Sequence, residues 1–262
     1  MNKFIFVTLL LFIGITNNAV AQFGFSHEIG VIVGPVAFQS DYGERHNFAT
    51  NAGNTGYGIG IVHYLNFAYK AECNCYTPET YFNDHFKLRS ELSYNKTNLK
   101  HYGQYVDPSK TSLIAKQLRA MHGSTAVTNI GMQLEFFPFS IRDFTARVGS
   151  FAPFISLGGQ FSFYTPKAYS DLGDGLGTLP GPTPVKYIGA FDTRGGTTWS
   201  VVTSVGTRYK LTPLSDLMVD LRFQYYFSNL VDGLSPDPRV YPENRANDWL
   251  GWFNFGYIYY LQ

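Results

Sequence analysis

Charge is scarce in this chain. Asp, Glu, Lys and Arg make up 15% of its 262 residues and nearly cancel, leaving a net +1. Soluble domains carry about 25% charged residues, and a balance this close to zero offers no basic surface to nucleic acid. Cysteine is nearly missing too: Cys73 and Cys75 are the two present, too few for a disulfide scaffold. Beyond residue 21 no apolar run approaches the ~20 residues that a membrane helix needs. Internal repeats, coiled-coil heptads and a second, soluble domain are absent as well.

Aromatic side chains are abundant. They form 17% of the chain, with 19 Tyr and 23 Phe, a composition suited to aromatic girdles at two membrane interfaces. The N-terminus reads as an export signal. Lys3 precedes an apolar run over residues 4–15, and Ala19-Val20-Ala21 supplies a small-x-small cleavage pattern. Residues 1–21 are therefore expected to be removed, leaving one domain, residues 22–262. Export without a membrane helix leaves a secreted protein, a periplasmic one or an outer-membrane barrel.

Periodicity chooses the barrel. Residues 86–95, FKLRSELSYN, put Phe86, Leu88, Leu92 and Tyr94 on one parity and Lys87, Arg89, Glu91, Ser93 and Asn95 on the other. A period of two is a strand with one apolar and one charged face. Such segments recur at 25–36, 57–69, 86–95, 127–137, 152–164, 197–210, 217–227 and 249–261, each at least as long as the ~9–11 residues of a tilted membrane strand. Long connections follow the first, third, fifth and seventh, and shorter links follow the second, fourth and sixth. That asymmetry, with an even strand count, fits long external loops and short periplasmic turns. The expected fold is all-β, an eight-stranded antiparallel transmembrane β-barrel. Within the loop before the fourth strand, residues 111–122 group Ile114, Leu118 and Met121 at helical spacing, with Gly123 as an expected C-cap.

With the polar parity inward, the lumen receives Glu28, Lys87, Arg89, Glu91, Glu135, Arg208, Asp220 and Arg222. Four acids face four bases. An eight-strand barrel is just wide enough to be filled by side chains, and an unpaired buried charge is expensive. The set is thus expected to pair into a plug, whereas a selective channel would show a ring of one sign.

Other constellations read as structural. The cluster Gly53, Gly56, Gly58 and Gly60 leads into a strand rather than a helix, and His63 stands where a dinucleotide-binding motif needs glycine. Close backbone approach inside a small barrel explains it better. Cys73 and Cys75, with His85, give three soft ligands where a tetrahedral metal site wants four. His46, His101 and His122 lie in external loops with no spacing that ties them to a serine and an acid. No cofactor is called for.

Two segments point to partners. The link 70–85 is long for a periplasmic turn and concentrates Cys73, Cys75, Tyr76, Tyr81 and Phe82; exposed aromatics at that density mark a contact site. At the C-terminus, Gly256, Tyr259 and Leu261 belong to an alternating aromatic strand ending at Gln262. It resembles the terminal signal that barrel-assembly machinery recognises, although Gln262 is not aromatic and Phe255 replaces the usual polar residue.

The segment HEIGVIVGPVAFQSDYGER, residues 27–45, followed by a tyrosine- and glycine-rich second strand, resembles small outer-membrane barrels of Bacteroidetes-type bacteria. In plan the chain is similar to the barrel subunit of the type IX secretion and gliding apparatus. The resemblance covers the mature chain in architecture but only the first strand and its loop in residues, and transfers no functional residue. It implies a structural role, anchoring a machine to the outer membrane. The sequence therefore leads to a non-enzymatic barrel in outer-membrane lipid, with a periplasmic or outer-membrane protein partner. The alternatives are external loops that bind a surface ligand or lipopolysaccharide, and a lipid-acting hydrolase or acyltransferase.

Overall fold

The computed structural model describes residues 25–43, 47–69, 80–237, 239–241, 244 and 247–261. Eight strands run in chain order: β1 (Phe25–Gln39), β2 (Thr55–Tyr69), β3 (Phe86–Lys100), β4 (Met121–Phe136), β5 (Phe151–Ser170), β6 (Gly196–Thr212), β7 (Ser215–Tyr226) and β8 (Trp249–Leu261). Each pairs antiparallel with its neighbours, and β1 closes the sheet on β8, with Val31 opposite Tyr257. Closure leaves no free edge. Among the described residues no helix is long and apolar enough to cross a membrane.

The period of two sets which side chains face which way. In β3 inward residues are buried and outward ones exposed in strict alternation from Glu91 to Lys100. Outward positions carry Ile29, Val31, Ile59, Ile61, Leu92, Ile130, Met132, Leu157, Trp199, Val205, Leu221 and Phe253, all more than 36% exposed. Among the described residues no Asp, Glu, Lys or Arg points outward from the strands across this belt. Water would not tolerate so continuous an apolar surface; lipid would. At the end where β1 begins and β8 finishes the belt meets packed aromatics: Phe86 on Phe136 (5.1 Å) and Phe151 on Tyr209 (5.0 Å).

The strands outrun a bilayer. The 20 residues of β5 extend ~65 Å at about 3.3 Å per residue. Tilted by ~40° they still rise ~50 Å, roughly twice the ~25 Å apolar band of such barrels. Their upper turns therefore stand clear of the membrane and carry the long connections.

Among the described residues three short α-helices lie in the connections: α1 (Tyr81–His85), α2 (Leu113–Ala120) and α3 (Ile141–Ala146). Ser112 caps α2, its Oγ accepting from the Ala115 amide at 3.3 Å. The expected helix over 111–122 is shorter than its pattern, and Gly123 is not its cap. The β4 ladder takes over at Met121 opposite Ser170 and His122 opposite Lys100, so Gly123 is a strand residue. It has a steric reason to be glycine: a Cβ there would lie 2.4 Å from the Tyr42 hydroxyl.

Candidate ligand site above a sealed lumen

All eight lumen charges foreseen from strand parity are buried in one network. Lys87 and Arg208 both donate to Glu28. Arg208 also reaches Glu135 at 3.0 Å. Arg89 joins Glu135 (3.5 Å), Asp220 (3.2 Å) and Glu91 (2.9 Å). Arg222 grips Glu91 with both terminal nitrogens, the strong bidentate geometry of guanidinium on carboxylate. Rings fill the remaining gaps, with Arg208 4.1 Å from the Tyr64 centroid and Arg222 4.9 Å from that of Trp252.

Two members were not foreseen. Lys210 and Asp216 are fully buried and pair at 3.2 Å, with the Tyr260 hydroxyl donating to Asp216 at 2.7 Å. The connection of β6 to β7 is only Pro213 and Leu214. The strands therefore run on further than the apolar pattern shows and draw Asp216, read as part of a turn, into the lumen. Five acids now face five bases. Above them Gln224 donates to Asn129 (3.0 Å) and Ser200 (2.9 Å), and Ser162 donates to Asn129 (2.7 Å). Higher still, Phe38, Tyr226, Leu250 and Val231 form an apolar layer.

The glycine cluster makes room for this filling. A Cβ on Gly56 would lie 1.9 Å from the Lys96 carbonyl oxygen, and one on Gly58 would meet the buried Trp252 indole at 2.4 Å.

The mouth at the long-loop end is covered by the β7–β8 connection. Thr125 donates to the Val231 carbonyl at 2.6 Å, and Leu234 is buried beside it in the core. Over that cover the four connections line an open cavity of 840 Å³. One wall is the apolar face of α2, Leu113, Ile114 and Leu118, continued by Met121 at the start of β4. Opposite stand Pro184, Val185, Tyr187 and Phe191, and Tyr102, Tyr105 and Val106 close the side. This is the size and lining of a small-molecule site, an apolar bowl with few polar groups.

The loops are tied to one another by hydrogen bonds. Gln117 Nε2 donates to the carbonyls of Pro180 (2.8 Å), Gly181 (2.9 Å) and Thr183 (3.2 Å), fixing α2 to the β5–β6 connection. Phe191 bridges Leu234, and the Ser235 amide donates to the Ala190 carbonyl at 2.7 Å. The Lys100 amide donates to Asn54 Oδ1 at 2.8 Å.

Polar groups gather at the floor. Tyr42 is 1% exposed, yet its hydroxyl has no hydrogen-bond partner among the described residues. His101, whose ring centroid is 5.1 Å away, has an unpartnered Nε2. Burial pushes the His101 pKa down to about 4, reinforced by His122 and opposed by a hydrogen bond to the Tyr42 backbone, so the imidazole is neutral. Burial, with Asp232 and Tyr169 adding to it, raises the Tyr42 phenol above its ordinary value. Beside them runs a string of acids. The Asp41 amide donates to Asp232 (3.0 Å) and the Asp232 amide to Asp248 (3.2 Å). Burial pushes Asp232 up to about 7 against the amides that donate to it. Burial, with Asp232 and Asp41 adding to it, raises Asp248 well above the usual carboxylate range.

The remaining residues of interest are dispersed. His122 pairs with Asp171 at 2.6 Å, and no serine hydroxyl bonds to it or to His101 among the described residues. Cys73, Cys75, Tyr76, His46 and residues 1–21 lie outside the described residues. Tyr81 and Phe82 sit in α1. Tyr81 is 65% exposed and stacked on His85 at 3.9 Å, while Phe82 packs between Phe67 (4.9 Å) and Phe86 (4.8 Å). Gly256 faces inward against Met218, whereas Tyr259 and Leu261 face outward. Among the described residues no cluster of three or more His, Cys, Asp or Glu is placed to hold a metal ion.

No protein-family model and no curated protein matches the chain. Among solved structures it is similar to Neisserial surface protein A, with 15% identity over 89% of this chain and 96% of that one and a TM-score of 0.42. It is also similar to a major outer membrane protein from Thermus thermophilus, with 12% identity over 91% and 100% and a TM-score of 0.45. A third is the N-terminal β-barrel domain of OprF from Pseudomonas aeruginosa, with 13% identity over 90% and 99% and a TM-score of 0.37. At such values, function has to come from this chain's own geometry.

Proposed function

We propose that the protein is an integral outer-membrane barrel that binds an apolar small molecule in the cup formed by its external loops. The observation that carries this reading is the 840 Å³ apolar cavity walled by all four long connections. The outward belt supports a lipid setting, and the long-loop asymmetry supports placing the cup outside the cell. Because the charged network fills the lumen, the cup ends blind, which favours binding over passage through the barrel. The mature protein in lipid nanodiscs should bind a fluorescent apolar probe in excess of empty discs. The double variant Ile114→Asp, Leu118→Asp should lose that excess while the folded barrel's gel mobility persists. Equal probe binding by the variant would remove the cup as the site.

A second reading, an anchoring contact on the short-turn side, is favoured by one feature. Exposed Tyr81 stands on a small ordered platform, in which the Arg142 amide of α3 donates to Asp84 of α1 at 3.0 Å. Replacing residues 73–82 with a short Gly-Asn turn should leave assembly intact and abolish partner capture from native membranes. Full retention of partners would exclude this surface.

A further inference from the structure

Above the apolar belt the barrel wall is charged on one flank only. Among the described residues three Asp, Glu, Lys or Arg side chains point outward from the strands, and all are lysines. Lys96 and Lys100 stand on β3 and Lys167 on β5, each exposed. The strand between them, β4, gathers them into one patch. Lys96 is opposite Ala126, which is opposite Thr165. Asn98 is opposite Ser124, which is opposite Lys167, and Lys100 is opposite His122, which is opposite Tyr169. Two strand spacings of about 4.8 Å, with about 3.4 Å per residue along a strand, place the three Cα atoms ~12–14 Å apart around Ser124. None of the three lysines pairs with a carboxylate among the described residues. The acid that touches the patch, Asp171, is held by His122 at 2.6 Å.

Depth says what meets these charges. The outward row just below them is aromatic: Tyr94 and Phe163 are exposed, and Trp199 follows on β6, packed on Phe161 at 5.1 Å. Aromatic girdles mark the edge of the apolar band. With the long connections outside the cell, the lysines stand at the level of the outer-leaflet head groups. A lone exposed lysine is ordinary, but three on adjoining strands and none on the other strands make a directional patch. One phosphodiester is too small to meet three cations spread so widely. A head group that carries several anionic groups on a sugar frame fits the spread. Its hydroxyls would find Asn98, Ser124 and Thr165 between the lysines, and its acyl chains the apolar wall of Leu92, Ile130 and Leu157 below. We infer that this flank binds the phosphorylated head group of lipopolysaccharide. The inference is independent of the cup, because the patch lies on the outer wall.

Lipid A is the probe. The mature protein is placed in phosphatidylcholine discs doped with diphosphoryl lipid A, and the lipid A retained per released barrel is read by native mass spectrometry. The triple variant Lys96→Gln, Lys100→Gln, Lys167→Gln should retain ~10- to 100-fold less, at roughly fivefold for each lysine beside an anionic lipid surface. The triple variant with arginine at the same positions should hold as much as the wild type. So should Lys110→Gln, Lys116→Gln, Arg194→Gln, which removes the same charge from the external connections. Gel mobility of the folded barrel checks the glutamine variant; if that variant does not fold, Lys167→Gln alone takes its place, with a loss of roughly fivefold. Undiminished retention without the lysines would overturn the inference. An equal loss in the connection variant would do the same, as would dephosphorylated lipid A or phosphatidylglycerol held as strongly as the diphosphoryl form.

Discussion

Arg89→Leu is the sharpest perturbation of the lumen. The guanidinium touches three carboxylates, Glu91 at 2.9 Å, Asp220 at 3.2 Å and Glu135 at 3.5 Å, all with side chains 0% exposed. Leucine keeps part of the volume and removes the charge, turning five against five into five acids against four bases. The three acids do not suffer equally. Glu91 keeps both nitrogens of Arg222, and Glu135 keeps Arg208. Asp220 keeps only the neutral amide of Asn254, which donates at 2.7 Å. The damage therefore concentrates on Asp220. Breaking a buried pair from one side costs about 3–5 kcal/mol, and an effective dielectric of ~20 independently gives about 4 kcal/mol for unit charges ~4 Å apart. Either figure is roughly two to four orders of magnitude in the folding equilibrium.

The assay is reversible urea unfolding of the barrel reinserted in lipid vesicles, followed by tryptophan emission; Trp252 lies inside the barrel against Arg222. The double variant Arg89→Leu, Asp220→Asn separates charge from packing. It leaves the lumen with four acids and four bases and should recover more than half of the single variant's loss. If Arg89→Leu costs under about 1 kcal/mol, or if Asp220→Asn restores nothing, the network is not what holds this lumen together.

Three further outcomes follow. In planar bilayers the wild-type protein should show no large, steady conductance; ohmic pores of porin size would refute the sealed lumen. Gly58→Ala, whose Cβ would press on the Trp252 indole at 2.4 Å, should destabilise by ~1–3 kcal/mol by overpacking. Gly159→Ala faces open space to 3.8 Å and should be neutral by the same urea measurement. Finally, Asp232 binds its proton more tightly folded, at about 7, than unfolded, at its ordinary 3.8. Its contribution to stability must therefore decline as pH rises from about 4 through about 7 and stay flat above. Proteolytic nicking of the external loops should accelerate from pH 5 to pH 8, less steeply in Asp232→Asn; a pH-independent rate in the wild type would contradict the assignment.

Much of the barrel is legible in residue order because parity is a local property. Each of Glu28, Lys87, Arg89, Glu91, Glu135, Arg208, Asp220 and Arg222 alternates with apolar neighbours, so a two-residue period marks it as inward whatever the rest of the chain does. Asp216 escaped because the signal fades at the strand ends: Leu211, Pro213 and Leu214 read as a link although the ladder continues to Thr212 and Ser215; Lys210 closes the 197–210 segment on the inward parity of Arg208 and was passed over as its last residue. The helix α2 was visible in the spacing of Ile114, Leu118 and Met121, but its purpose was not. Its apolar face is one wall of a cavity whose other walls come from residues as distant as Tyr42 and Phe191. No local period announces four loops converging on one volume. Tyr42 gave a faint signal only in retrospect, through Gly123, a glycine that ends no helix.

The sealed lumen and the cup bear on each other. Loops on a flexible rim would lose on binding the conformational freedom that a ligand must remove, and affinity would fall accordingly. Among the described residues part of that ordering is built in: Gln117 binds α2 to three carbonyls of the next connection, and Thr125 fastens the β7–β8 connection to the barrel wall. The wall can serve as a fixed base because the strands below are clamped from within by arginines that cross the lumen, Arg208 to Glu28 and Arg222 to Glu91. Filling the barrel thus braces the base on which the proposed site stands. Loosening that base should reach the cup. Arg222→Leu, though buried beneath the polar layer around Gln224 and the apolar layer around Tyr226, should weaken apolar-probe binding as well as barrel stability. Unchanged probe affinity in a destabilised Arg222→Leu barrel would show that the loops hold their shape independently of the network below.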